Sequence, residues 1–378
     1  SQRSAGYGDG IYKSVDGGAS FQHMGLARSE HIGDVLVDPR SSNVVYAASQ
    51  GPLWAPGGDR GLFKTTDGGE IWDLILDVSE NTGIADIVFD AFDPDIIYAA
   101  SYQRRRHVGL LVAGGPEGTI FRSDDAGATW AEIDFGLPTV DRGRIALEVS
   151  QHRPGVVYAL VAAQGEESGF YRSHDYGETW ERLSDYIVVD PQYYGELFAD
   201  PLREGRLCAV DVNIHCTVDD GVTWEELEMR GVHVDHHEIV FDPGNPDYML
   251  IGNDGGLYES WDGARTWRHL DNLPVTQFYR VGIDTRKPFY WVYGGTQDNG
   301  TLGGPSRSVS AVGVRTADWV RIVGGDGFQA RVDPQDPDIV YGMSQGARIN
   351  RIDLRTGVTT SIAPPHALDG DTLLWHWD

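Results

Sequence analysis

The chain has 378 residues, with 57 acidic side chains against 30 basic ones and a formal charge of −27. Such a surface repels a phosphate backbone, which sets nucleic acid aside as a partner, and no run of 18 apolar residues is available to insert into a membrane. With 48 glycines, 11% aromatic residues and no amphipathic helical period, the composition is that of an all-β, turn-rich protein.

Residues 1–26 hold half of a repeating unit: a strand over 10–13, a turn, and a strand after it. The turn carries Ser14, Asp16, Gly18, Ser20 and Phe21, an instance of Ser/Thr-x-Asp-x-Gly-x-Ser/Thr-Trp/Phe. Five more copies centre on Asp67, Asp125, Asp175, Asp219 and Asp262, each followed by a Trp. Two depart from the template, with Ile71 at the second hydroxyl position and Ala264 in place of the glycine. The aspartates lie 51, 58, 50, 44 and 43 residues apart, the period of a repeated supersecondary unit. These residue types suit a hairpin turn. A short Asp or Ser side chain accepts from backbone N–H groups just ahead of it, Gly permits positive φ, and the Trp anchors the next strand between neighbouring sheets.

Whole units open near residues 32, 84, 145, 195, 238, 279 and 328. Each predicts an apolar strand, a turn such as Asp38-Pro39 or Asp93-Pro94, a second strand such as Val44-Val45-Tyr46-Ala47-Ala48, a loop, and the strand–turn–strand hairpin. Four antiparallel strands per unit make a propeller blade, and stacked repeats make one architecture. The expected fold is an all-β propeller of about seven to eight blades, one domain over 1–363 that starts mid-blade. Residues 364–378 read as an exit linker to a further domain. In blade four, Cys208 and Cys216 flank a hairpin centred on Val212 and stand opposite each other. A cross-strand disulfide of an oxidising compartment and two buried thiols are both compatible with that placement. The last two units lack the repeated turn; a glycine-rich turn with Trp319, and Asp353-Leu354-Arg355-Thr356-Gly357, stand in for it.

The six turns resemble the Asp-box (BNR) repeats of sialidases, sortilin-type receptors and two-propeller xyloglucanases. Through His233-Val234-Asp235-His236-His237, Gly252-Asn253-Asp254-Gly255-Gly256, Gln297-Asp298-Asn299-Gly300 and Gly324-Gly325-Asp326-Gly327-Phe328, the chain looks more narrowly like large secreted bacterial sortilin-like or glycosyl-hydrolase-like repeat proteins. That resemblance implies an extracellular or periplasmic protein, with further blades upstream and a second propeller or a partner subunit completing it. Sialidase likeness calls for an arginine triad, a Tyr nucleophile and an Arg-Ile-Pro-like motif, and no such motif is visible. Xyloglucanase likeness places the catalytic pair between two propellers, and one is present.

Strand alternation puts all the Asp boxes on one face. The other face gathers the first-strand positions Asp34, Asp86, Ala146, Glu196, Glu238, Arg280 and Gln329. It also takes the loops after the second strands, with Gln50, Gln103, Gln164, Asp211, Asn253, Asp254, Gln297, Asp298, Asn299 and Gln345. Carboxylates and carboxamides pair with sugar hydroxyls, so this ring reads as a site for a hydroxyl-rich ligand or as the solvated mouth of a propeller. Trp54 and Tyr102 either stack on sugar rings or pack. Arg104, Arg105 and Arg106 clamp a carboxylate or phosphate or pair with the acids beside them. His233, Asp235 and His237 share one side of an extended segment, as ligands of a divalent metal would, with Asp254 as a further ligand. The alternative is histidines bonded to nearby carboxylates. Glycoside hydrolysis requires two carboxyl groups roughly 5–5.5 or 6.5–9.5 Å apart. Asp34, Asp86, Glu196, Glu238, Asp254, Asp298 and Asp326 supply candidates, and nothing in the sequence marks one pair. The expected function is a secreted binding propeller for a glycan or protein ligand, requiring no cofactor. A glycoside hydrolase and a sortilin-like peptide receptor or scaffold are the alternatives.

Overall fold

A computed structural model describes residues 7–273, 276–363, 367–368 and 371–372. Short apolar runs separated by glycine turns fold into antiparallel strands, with one 3-10 turn among the described residues, Thr316–Asp318. Each whole unit of the sequence is a sheet whose strands follow one another in order, and the fold is a β-propeller. Blade 1 comprises Ile32–Val37, Val45–Ser49, Gly61–Thr65 and Asp73–Leu76. Blade 2 comprises Thr82–Phe89, Ile97–His107, Ile120–Ser123 and Ala131–Glu132, and Leu110–Ala113 pairs with the far end of its long second strand. Blades 3 and 4 start at Arg142–Val149 and Glu196–Ala199, blade 5 at His236–Asp242, and blades 6 and 7 at Arg280–Ile283 and Ala330–Val332. Tyr12–Lys13 pairs with Gln22–His23 as the expected half unit.

Contacts gather the chain into two compact units where the sequence reads one domain. The first holds 1–251 and 259–267, the second 252–258 and 268–378. In the first unit the second strands are the buried centre, because each is flanked in its sheet and covered on both faces. Tyr46, Ala47, Ala48, Tyr98, Ala99, Ala100, Val157 and Ala159 are all fully enclosed. The tyrosines also tie one blade to the next: the Tyr46 hydroxyl donates to the Ala126 carbonyl at 2.8 Å, and that of Tyr158 to Asp220 at 2.6 Å. In the second unit Tyr293, Ala330 and Val340 form the core between blades 6 and 7.

The repeated turn is a closed hydrogen-bond circuit. In its third full copy, Ser173 Oγ donates to Asp175 Oδ1 (2.7 Å) and accepts from Gly177 N (2.8 Å). Asp175 then accepts from both the N–H (2.9 Å) and the hydroxyl (2.7 Å) of Thr179. The same circuit holds Asp16, Asp125, Asp219 and Asp262. At Asp67, Ile71 supplies its N–H but has no hydroxyl to complete it. Two consecutive residues have positive φ, not the glycine alone: Tyr176 at 60° and Gly177 at 86°, and in the sixth copy Gly263 at 71° and Ala264 at 73°. The indole of Trp180 donates to the Ile133 carbonyl of the preceding blade at 2.7 Å, the anchoring role expected for this position.

Cys208 and Cys216 are bonded across blade 4, directly opposite in register. Within the stretch read as an exit linker, Ala367–Leu368 pairs with Asp371–Thr372.

Candidate functional site

Backbone bonds fix which face each loop occupies. In the first unit, the N–H after each turn aspartate donates to a carbonyl in the connection between first and second strands: Gly68 to Asn43, Ala126 to Asp95, Tyr176 to Gly155 and Asp220 to Gly205, all within 2.9–3.0 Å. The repeated turns and these connections therefore share the lower face. The starts of the first strands and the loops after the second strands are left on the upper face, as strand alternation requires.

The carboxylates of the upper face are largely committed to building the propeller. A first strand is the edge of its sheet, so half of its N–H groups face no ladder partner. In the first unit the preceding blade satisfies one of them in each of blades 2, 3 and 4. Asp86 accepts from the N–H of Leu147 at 2.8 Å, and Asp34 interacts in the same way with the N–H of Ile87 while accepting from Val35 at 2.6 Å. Blade 3 has Ala146 at the equivalent position, and Glu148, two residues on, takes over: its oxygens accept from Val149 (2.8 Å) and Ala199 (3.0 Å). Close packing of these strands needs glycine beside the staple, since a Cβ on Gly33 would lie 2.3 Å from the Ala85 carbonyl oxygen. Burial pushes these carboxyls up. Glu148 rises to about 7, Asp86 is raised by burial and then by the Asp34 charge, and Asp34 is raised by burial. Glu238 is raised by burial and by Asp34. Glu196 forms an ion pair with Arg144.

Beside this stapled ring the structure assembles a basic rim. The loop over 50–60 between the second and third strands of blade 1 is wound around Arg60. Its guanidinium donates to the carbonyls of Gln50 and Pro52, with the Asn81 carbonyl also in reach. Leu53 is fully enclosed and Trp54, next to it, is 51% exposed. The long second strand of blade 2 passes alongside: Arg106 N donates to the Leu53 carbonyl at 2.8 Å, and Arg105 Nε donates to the same oxygen at 3.2 Å while its Nη1 reaches Asn81 Oδ1. Arg104 Nη1 lies 3.5 Å from Gln50 Oε1. Thus Gln50, Arg104, Arg105 and Arg106 converge, with Trp54 next to Leu53 on the same loop. None of Arg60, Arg104, Arg105 and Arg106 forms an ion pair among the described residues, which overturns the expectation that the arginine run pairs with neighbouring acids. Arg106 is 7% exposed, and its Nε and Nη2 meet no acceptor. Burial and the Arg104 charge pull its guanidinium below the ordinary value.

The second unit uses its share of the predicted residues to brace loops. Asp326 accepts from the N–H of Asp298 at 2.9 Å and donates its own N–H to Gln345 Oε1 at 2.9 Å. Asn299 donates to the Asp254 carbonyl at 2.7 Å, Asn253 accepts from Gly255 N at 2.9 Å, and Gln297 accepts from the Tyr279 hydroxyl at 2.5 Å. In the first unit, His233 contacts the neighbouring Val234 carbonyl at 2.8 Å, Asp235 accepts from the Tyr194 hydroxyl, and His237 stacks on Tyr194 with centroids 5.7 Å apart. The sequence reading missed Glu148, Arg144 and Arg60. Glu148 carries a detectable signal, an acid set among the apolar residues 145–149 of its first strand; the partners of Arg60 are backbone carbonyls, which leave no mark in a sequence.

Neither a family model nor a curated protein matches the chain. Among solved structures it is similar to the GH74 xyloglucanase from Xanthomonas campestris, at 14% identity and a TM-score of 0.51, over 96% of this chain and 66% of that one. An ancestral GH74 enzyme (16% identity, TM-score 0.47, 92% of this chain and 65% of that one) and YCF48 bound to D1 peptide (18%, 0.41, 82% and 89%) are also similar. The chain spans slightly less than two thirds of the length of these GH74 structures. At such identities the likeness to the Xanthomonas protein is one of fold, a β-propeller.

Proposed function

We propose that the chain is a secreted Asp-box propeller that binds a glycan or protein ligand on its upper face, at the rim formed by blades 1 and 2. The observation that carries this reading is the division of labour on that face. The carboxylates expected to perform acid–base chemistry, Asp34 and Asp86, are held by backbone N–H groups of the next blade. Meanwhile Gln50, Arg104 and Arg106 are brought together where the 50–60 loop, which carries Trp54, meets the outer end of the second strand of blade 2. The disulfide supports an oxidising, extracytoplasmic setting. Screening the full chain on glycan and peptide arrays tests the reading. Binding should be lost on Trp54→Ala and kept on the lower-face change Val222→Ser; the reverse pattern would end it.

One observation favours a glycoside hydrolase as the second reading: Asp86 is raised in part by Asp34, as in a pair of carboxyl groups that share the roles of acid and base. Release of reducing ends from a polysaccharide, abolished by Asp34→Asn with folding intact, would replace binding by hydrolysis.

A further inference from the structure

The basic rim is anomalous for this chain. With acids outnumbering bases by nearly two to one, an arginine here has abundant carboxylates to pair with, and Arg122, Arg153, Arg172, Arg203, Arg286 and Arg355 all do so. Exposed arginines such as Arg182, Arg265 and Arg321 stay in solvent without an ion pair among the described residues, but Arg104 and Arg106 lack one while buried or half-buried. Strand alternation places Tyr102, Arg104 and Arg106 on one side of the second strand of blade 2, and Tyr102 senses both guanidinium charges. The Tyr102 hydroxyl, Arg104 Nε, and Arg106 Nε and Nη2 are all enclosed without an acceptor. Leaving several buried donors unmet, two of them on one charged group, is costly. It is retained most simply where an anion completes the site.

We propose that Arg104, Arg106 and Tyr102 receive the carboxylate of an acidic sugar, a hexuronate unit of a bound glycan. This rests on the upper face being the binding face and names its ligand class. A planar carboxylate matches the guanidinium fork, with half-buried Arg104 as the outer donor and Arg106 as the inner one. The sugar, and not an acidic peptide, is favoured by what surrounds the donors. The exposed Trp54 indole is carried on the loop whose Leu53 carbonyl holds Arg105 and Arg106, and it offers a face for a pyranose ring. The Gln50 carboxamide beside Arg104 suits ring hydroxyls. The overall negative charge does not oppose a short ligand, because fields of the distant carboxylates are screened beyond about 8–10 Å at ordinary ionic strength.

The test is calorimetric titration of the full chain with trigalacturonate, its fully methylated ester, and pentaglutamate. The acid should bind, the ester at least about tenfold more weakly, and Arg106→Met and Arg104→Met should each weaken the acid about tenfold or more. Arg203→Gln, in an ion pair on the lower face, should change nothing. Arg106→Met should melt at or above the wild-type temperature, because it removes an unpaired buried charge while keeping the apolar stem. Equal binding of acid and ester, lost on Trp54→Ala, would overturn the carboxylate site and leave the binding face standing. Arginine-dependent binding of pentaglutamate alone would overturn the sugar. No binding of the acid, or a lower melting temperature for Arg106→Met, would show the guanidinium to be structural and overturn the proposal.

Discussion

Replacing Glu148 by glutamine separates the two electrical states of the blade staple. Its carboxyl is raised from the ordinary 4.5 to about 7 by burial, against the opposing pull of the Val149 and Ala199 N–H groups. A raised folded-state value means that the contribution to stability is complete below pH 4.5 and is lost as the pH climbs through 7. At ~1.4 kcal/mol per pH unit, that interval sets a ceiling of about 3 kcal/mol for the loss. Asp86, raised for the same reason, adds a loss of the same sign. Glutamine cannot ionise, and its one carbonyl oxygen can serve both N–H groups only poorly. Glu148→Gln should therefore be less stable than wild type by about 1–2 kcal/mol at pH 5, with the gap closing or reversing by pH 8. Urea unfolding at pH 5, 6, 7 and 8 reads this directly. Wild-type stability that is level or rising over this range, or a mutant curve parallel to it, would refute the reasoning.

Three further outcomes follow from the lower face and the disulfide. The turn aspartates are held below their ordinary value by Ser or Thr side chains and backbone N–H groups, Asp16, Asp125 and Asp262 to about 2. Their contribution is present above pH ~4 and lost as the pH falls toward 2, so with the staples acting oppositely an acid–base melting series should peak in mildly acidic buffer; a maximum above pH 8 would contradict it. Ala264→Gly removes a Cβ from a residue at φ 73° and should stabilise by about 0.5–1 kcal/mol in denaturant titration, whereas Gly177→Ala, whose Cβ would lie 2.4 Å from Ile133 Cδ1, should destabilise. Reducing Cys208–Cys216 opens a short loop and should cost about 2 kcal/mol, seen as a lower melting midpoint with reductant; an unchanged midpoint in fully reduced protein would count against it.

The blades were readable because their chemistry is local and repeated. Ser173, Asp175, Gly177 and Thr179 close a circuit within seven residues, and five full copies and one partial copy repeat it along the chain. Register across the Val212 hairpin was readable for the same reason, since Cys208 and Cys216 sit symmetrically about it. The roles of the upper-face residues were not, because their partners belong to another blade. Asp86 looks like a free acid until Leu147 N–H, 61 residues away, is found on it. Arg105 looks like surface charge until Leu53 and Asn81 enclose it. The shift of the staple from Ala146 to Glu148 shows why position alone misleads: the longer side chain reaches the same kind of N–H from two residues further along.

Hydrogen–deuterium exchange of the full chain, with and without a saturating array ligand, tests most directly where binding occurs. The account predicts protection confined to residues 50–60 and 102–113, with exchange in the turns around Asp67, Asp125 and Asp175 unchanged. Protection of those turns, with the upper rim exchanging as in the free protein, would contradict it.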